Sequence, residues 1–385
     1  MGGWRSAGES GLLAAFAILA VLPVAQAKPP PALPLTPIGA LRAVPQGTAV
    51  RLAALRNDAR YRDTFLREFD SLTPENELKM QELQPRRGQF DFAAADELVR
   101  FARRNGKAVR GHTLVWGQAL PLWLIDHGAL DRIGLRLPPI RLPALPSPIG
   151  KILGQTTTLL TGWRRDDLLA VMKDHIRTVM RHYAGDITEW DVVNEPMAEN
   201  GSLSGTVWRR FIGPDYIEEA LRTARAADPH AKLFINDFDV EFPGPKLDGL
   251  VRLARDLVAR GVPLDGIGLQ THTHIGGFPD EATLTDTMRR FTRLGLDVQV
   301  TEMDVATSLV EVARPERLQR QALAYGAAAR ACNAVKKCTR FTTWGFTDAV
   351  SWLSAGATGL LFDAAYRAKP AYAAVRSAFA ARQPR

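Results

Sequence analysis

Two hydrophobic periods alternate along this chain. Short runs dense in apolar and β-branched residues lie at Val50–Leu55, Phe69–Thr73 (the weakest), Ala108–Trp116, Thr188–Asn194, Leu233–Asp237, Gly266–Thr271, Asp297–Thr301 and Phe341–Phe346. Between most of them apolar positions recur every three or four residues, at Ala93–Asn105, Arg165–Tyr183, Asp215–Ala227, Lys246–Arg260, Glu281–Leu294 and Pro315–Cys332. The first pattern predicts buried strands and the second predicts helices with one face on a core. Gly106, Gly261 and Gly295 fall just past three of those helices, where a left-handed residue closes the last turn. Eight strand–helix alternations predict an α/β chain whose parallel sheet closes as a single (β/α)8 TIM barrel over residues 46–380. An open doubly wound sheet is the competing topology, but no G-x-G-x-x-G turn follows the first run.

Three segments break the rhythm. Residues 1–27 hold Arg5, then the apolar run Leu12 to Val24, then Ala25-Gln26-Ala27. That order predicts a secretory signal peptide, and so an exported protein, periplasmic or extracellular. Residues 28–45 are proline-rich and aperiodic, which predicts an exposed linker. Residues 128–165, after the third strand, are too long for an ordinary strand-to-helix connection. They carry Pro138, Pro139, Pro143, Pro146 and Pro148, and six basic residues against the single acid Asp131. A solvated insertion is the plain reading. Docking of its Leu, Ile and Arg residues on an anionic membrane is the weaker one, because the prolines forbid one long amphipathic helix.

Composition narrows the classes. At 46% hydrophobic and 23% charged residues, the 385-residue chain is neither disordered nor fibrous. Its two cysteines are too few for a disulfide scaffold or a cysteine-based zinc site. Export makes a Cys332–Cys338 disulfide reasonable, as a local clip between a helix and a strand.

Active residues of such a barrel lie at the C-terminal ends of its strands. Polar residues gather there: Glu75 and Asn76, His112 and Trp116, Asn194 and Glu195, Asn236 and Asp237, Gln270 and His272, Glu302 and Asp304, and Trp344. Glu195 and Glu302 end strands on roughly opposite sides of the ring, so both can face one cavity. A carboxylate pair flanking a cleft is what glycosidic cleavage requires, one protonating the leaving oxygen and the other attacking carbon. A Glu302–His272–Asp304 hydrogen-bond chain would keep Glu302 ionised and oriented. Gln270 and His272 are two residues apart and are expected on one strand face. Asn194 is placed to donate to a sugar hydroxyl. Trp344 and Trp352 suit the C–H faces of sugars, whereas Trp123 reads as core. His272 and His274 find no third ligand at suitable spacing, so no metal is expected. No G-x-S-x-G elbow or phosphate-binding loop is present.

The motifs TPENELKM, RGHTLVW, WDVVNEP, ADPHAKLFINDFD, GVPLDGIGLQTH, VTEMDV, FTTWGFTDAVSWL and LLFDAAYRAKPAY together resemble glycoside hydrolase family 10, secreted endo-1,4-β-xylanases on a (β/α)8 barrel. The resemblance spans about residues 50–375. It implies retaining hydrolysis of β-1,4-xylan or xylo-oligosaccharides, without a cofactor, by Glu195 as acid/base and Glu302 as nucleophile. His272 and Asp304 match the residues that orient the nucleophile, and Asn194 the group that holds the sugar 2-hydroxyl. Lys79, His112, Gln270, Trp344 and Trp352 match sugar-lining positions, Glu75 and Asn76 contacts one sugar further out, and Trp116 the aromatic at the end of its strand. Cys332 and Cys338 fall where many members carry a disulfide. A monomer acting on carbohydrate is expected, with no nucleic-acid partner.

The chain departs from the family at two places in this region. After Trp116 the family usually has His-Ser/Asn-Gln, whereas here Gly117-Gln118-Ala119 follows. Gln118 is one residue away from the usual glutamine. Met80 stands where a Trp usually follows Lys79. These departures keep open a related retaining β-glycanase with altered substrate preference, and more remotely a non-catalytic glycan-binding barrel.

Overall fold

The computed structural model describes residues 44–125, 162–308, 310–354 and 356–380. Residues 1–27, 28–43 and 126–161, which hold the expected signal peptide and most of the linker and insertion, lie outside them. The strands are β1 (Gln46–Val50), β2 (Ser71–Pro74), β3 (Ala108–Trp116), β4 (Glu189–Asn194), β5 (Lys232–Asp237), β6 (Gly266–Leu269), β7 (His272–His274), β8 (Asp297–Ala306) and β9 (Cys338–Thr343). All pair in parallel. β1 through β6 run in sequence order, β6 pairs with β8, β8 with β9, and β9 returns to β1 to close an eight-stranded barrel. β7 is a short continuation beyond β6 that rejoins β8 at His272↔Asp304. The (β/α)8 expectation holds.

The helices form where the sequence supplies both a buried stripe and matched ends. Ala93–Arg104 buries Ala95, Leu98, Val99 and Ala102, has Asp96 in its first turn and ends on Arg103 and Arg104. Arg165–His182 repeats the plan, with Asp166 and Asp167 first, Arg181 and His182 last, and Leu168, Val171, Met172, Ile176 and Val179 inward. Acids at the N-terminus and bases at the C-terminus complement the helix dipole. Gly106, Gly261 and Gly295 take the expected positive φ after their helices. Among the described residues no helix is long and apolar enough to cross a membrane.

Several boundaries differ from the hydrophobic pattern. Val50–Leu55 is not a strand: β1 stops at Val50 and Leu52–Asn57 is helical, because its Leu and Ala residues favour helix over strand. A helix at Ala59–Glu68 follows, capped by Asp58, whose carboxylate accepts from the Arg60 and Tyr61 amides. The final run is shifted to Cys338–Thr343, since Gly345 turns left-handed beyond it. The linker ends early, as Val44 is buried and the Pro45 carbonyl accepts from the Phe341 amide. At the other side of the insertion, Trp163 is buried with its indole N–H donating to the Leu124 carbonyl at 2.9 Å. Arg165 already begins a helix and pairs with Asp215, so the basic segment is shorter than expected. Cys332, near the end of Arg314–Ala334, is bonded to Cys338 at the start of β9, with Cα atoms 5.2 Å apart.

The lower barrel interior is polar. Arg110 and Asp191 are ion-paired and buried, and Arg110 also donates to Gln299 at 2.9 Å. Gln299 donates in turn to Glu189 at 3.0 Å, which Arg340 also pairs. On the outer face of the sheet Gly111 sits in register with Trp190, whose buried indole lies where a β-carbon at 111 would be. Gly111→Ala therefore overpacks the wall. It should lower stability by about 1–3 kcal/mol, read as a reduced denaturant midpoint at unchanged slope; an unchanged midpoint would show that Trp190 moves aside freely.

Candidate active site

The strand ends bring the expected residues to one mouth of the barrel. Glu195 follows β4 directly, with positive φ (54°), a conformation that a non-glycine residue holds only when its surroundings demand it. Two backbone bonds supply that demand: the Glu195 amide donates to the Asn236 carbonyl at 2.7 Å, and the Met197 amide to Asp237 Oδ2 at 3.0 Å. Asp237 is itself buried at the end of β5, with Lys246 Nζ 3.3 Å from its Oδ1. Burial pushes the Asp237 carboxyl up to about 7, against the pull of Lys246 and with the help of the Glu195 charge.

Glu302 does not end its strand, because β8 runs on to Ala306. It lies between the ladder to β6 and the ladder to β7. His272 donates through Nε2 to Glu302 Oε2 at 3.2 Å and through Nδ1 to Asp304 Oδ2 at 2.9 Å. The expected Glu302–His272–Asp304 chain is present, and the Trp352 indole N–H adds a bond to Asp304 Oδ2 at 2.7 Å. Asn236 donates to Glu302 Oε1 at 2.6 Å, while the Thr301 hydroxyl donates to its carbonyl oxygen at 2.7 Å and fixes the amide's orientation. Gly268, facing Asn236 in register, leaves the space that this carboxamide fills.

The electrostatics separate the two glutamates. Burial alone would push the Glu302 carboxyl up; neighbouring His112 and His272 and the Asn236 amide outweigh it and hold the group at about 2. Burial likewise opposes charge on His272, but Asp304 and Glu302 raise it well above 6.5. Glu195 is half-buried and faces neutral amides instead: Gln118 donates to Oε2 at 3.1 Å, Gln270 to Oε1 at 3.3 Å and Asn194 to Oε1 at 3.4 Å. Asn194 accepts from Asn236 at 2.8 Å, so an unbroken path of amides joins Glu302 to Glu195.

The remaining expected residues surround this pair. His112 donates to Asp191 at 2.9 Å, stands 3.8 Å from Glu302, and packs edge-on against Trp344. Lys79 donates to Asn76 at 2.9 Å and lies over the Trp116 ring; burial lowers its pKa, opposed by Glu75, Glu302 and Glu195. Glu75 is clamped by Arg51 at 2.7 Å. Trp344 is buried, whereas Trp352 keeps 40% of its surface open and packs edge-on against His272. Trp123 is in the core, as expected, donating to the Gln84 carbonyl.

Gln270 and His272 differ from the one-face expectation. Thr271 between them has positive φ (60°), so the strand breaks; Gln270 turns to Glu195 and His272 to Glu302. The sequence places Asn236 among the polar strand ends without a role, and leaves Thr301, Arg110 and Asp191 out of the site. Asn236 is marked by the polar amide that closes an apolar run, whereas the other three carry no such signal. The glutamine missing after Trp116 has a partial replacement in Gln118, whose amide reaches Glu195. Among the described residues, no three His, Cys, Asp or Glu side chains gather to hold a metal ion.

Comparison with known proteins agrees with this geometry. The family model for glycosyl hydrolase family 10 matches residues 40–141 and 146–378. Endo-1,4-beta-xylanase 1 of Humicola insolens is 35% identical over 340 residues, covering 87% of this chain and 71% of that protein. Among solved structures, native xylanase 10B from Thermotoga maritima superposes with a TM-score of 0.77 at 32% identity, over 90% of this chain and 98% of the other. Xylanase 10B from Thermotoga petrophila, solved in complex with xylobiose, has the same TM-score and identity, over 90% of this chain and 97% of the other. With most of its length inside the family model and its site built on the matching strands, the chain belongs to glycosyl hydrolase family 10.

Proposed function

We propose that this protein is an endo-1,4-β-xylanase that cleaves xylan or xylo-oligosaccharides with retention, Glu302 acting as nucleophile and Glu195 as acid/base. The observation that carries the reading is the amide path from Glu302 through Asn236 and Asn194 to Glu195. It sets two carboxyl groups with different surroundings at one mouth of the barrel. Glu302, held ionised, attacks the anomeric carbon while Glu195 gives its proton to the departing glycosidic oxygen. The carbon–oxygen bond to the leaving sugar breaks as the bond to Glu302 forms. Water then attacks the glycosyl ester, its proton passes to Glu195, and Glu302 leaves as a carboxylate.

Other residues take supporting roles. Asn194 holds the 2-hydroxyl of the reacting sugar, a bond that strengthens in the transition state. His272 and Asp304 keep Glu302 aimed. Lys79, His112, Gln270, Trp344 and Trp352 line the sugar positions on the non-reducing side, Glu75 and Asn76 the next one out, and Trp116, under Lys79, is a further substrate-binding aromatic. Xylose has no hydroxymethyl group to crowd Lys79 and Trp352, which favours xylan over a glucose polymer. The xylobiose bound in the Thermotoga petrophila relative supports this substrate class.

In the same reading residues 1–27 direct export, the residues from 28 to the start of the barrel are a proline-rich linker, and the stretch after β3 is a proline-rich basic insertion. These three assignments rest on composition. The exported form should begin at Lys28 by mass analysis; a mature chain that retains Leu12 to Val24 would refute the signal peptide.

Two measurements test the chemistry. Glu302→Ala should lose at least ~10³-fold in rate on xylo-oligosaccharides, and the first-formed product of the native enzyme should be the β-anomer by NMR. Unchanged turnover, or an α-anomer, would end the assignment. The second concerns pH. Because the folded pKa of Glu302, about 2, lies below its ordinary value of 4.5, the ionised group stabilises the fold above pH 4.5. That contribution is lost as pH falls through about 2. His272 keeps its proton throughout this window and adds no slope. The melting-temperature gap between native protein and Glu302→Gln should therefore narrow from pH 5 to about pH 2; a constant gap would place the charge elsewhere.

A further inference from the structure

The break at Thr271 needs a cause. The ladder between β6 and β8 ends at Leu269↔Val300, and pairing resumes only at His272↔Asp304. Thr271 lies between these pairs with φ at 60°, a position in which a β-branched residue is an outlier. Its buried amide has no strand partner and must find one elsewhere. It donates to Glu241 Oε1 at 2.5 Å.

Glu241 is an unusual choice of acceptor. Its side chain is 1% exposed, and its second oxygen, Oε2, is buried with no hydrogen-bond partner. No cation pairs with it among the described residues; Asp239 adds like charge and His272 an opposing one, and burial pushes its carboxyl up to about 7. Burying a carboxyl group with half its bonding capacity unused is costly, and a neutral residue would cover the core more cheaply. Beyond its own residue, the carboxyl holds the Thr271 amide. On one side of that amide Gln270 reaches Glu195 and Asn194, and its carbonyl accepts from the Glu302 amide at 3.1 Å. On the other side His272 bonds Glu302 and Asp304.

We infer that Glu241 is a positioning residue for both reacting carboxyl groups, acting through the left-handed Thr271 so that the side chains flanking it, Gln270 and His272, serve Glu195 and Glu302. The inference rests on the two-glutamate reading above. Without the acceptor, the Thr271 amide is left unsatisfied and the segment relaxes toward a regular strand, which turns Gln270 and His272 off their targets. Displacements near 1 Å at a reacting centre cost on the order of 10²-fold in rate.

The test compares Glu241→Ala and Glu241→Gln with the native enzyme on an aryl xylobioside, at a temperature well below each melting midpoint. Glutamine keeps a carbonyl oxygen for the Thr271 amide; alanine does not. Glu241→Ala should lose on the order of 10–100-fold in kcat with KM changed less than about threefold, and Glu241→Gln should restore kcat to within about fivefold of native. A purely structural role would lower the melting temperature of Glu241→Ala and leave its kcat alone, and that result would overturn the inference. So would a glutamine variant as slow as the alanine one. If Glu241→Ala does not fold, Glu241→Asp, one methylene short of the amide, takes its place with the same expected loss. A native enzyme inactive on every β-xyloside would instead refute the function reading, before any variant is compared.

Discussion

Everything at the mouth of this barrel depends on keeping two glutamates in different electrostatic surroundings while bonding both into one network. Glu302 faces an imidazolium and an oriented amide, which offset the cost of burying its charge. Glu195, half-buried, accepts hydrogen bonds from the amides of Gln118, Asn194 and Gln270. Amides donate without carrying charge, so they aim the Glu195 carboxyl group by hydrogen bonding and not by an ion pair. The difference between a histidine and a glutamine at the two ends of one short segment thus becomes a difference in chemical role.

Beneath the site, the fold uses charge where most cores use methyl groups. Arg110, Asp191, Gln299, Glu189 and Arg340 form a polar layer inside the barrel. Breaking a buried pair of this kind by removing one partner generally costs about 3–5 kcal/mol. The layer also has a task, since Asp191 accepts from His112 and so fixes the ring that stands 3.8 Å from Glu302. The orientation of His112 is therefore set from inside the barrel, away from the substrate side.

Much of this was readable in the sequence, for identifiable reasons. β4 is an apolar run closed abruptly by an amide and a carboxylate, a pattern that folding alone does not require, and Glu195 was found from it. Asp304 and Glu302 are linked from the sequence because two-residue spacing on one strand puts them on one face. The break at Thr271 was not readable, because GIGLQTHTH has the composition of one continuous strand. Its left-handed residue is imposed by Glu241, thirty positions away in the chain, and that residue looks like any loop acid. Arg110 and Asp191 were passed over because hydrophobic periodicity has no way to register a buried ion pair. Val50–Leu55 misled in the opposite direction, since an apolar run of that length serves a short helix as well as a strand.

The single bond from the Trp163 indole to the Leu124 carbonyl ties together the polypeptide on either side of residues 126–161, holding the two ends of that connection against the barrel. The entropic penalty of closing a loop rises only slowly with its length. With its two ends already fastened to each other, a change in the length of that connection alters the closure penalty by little.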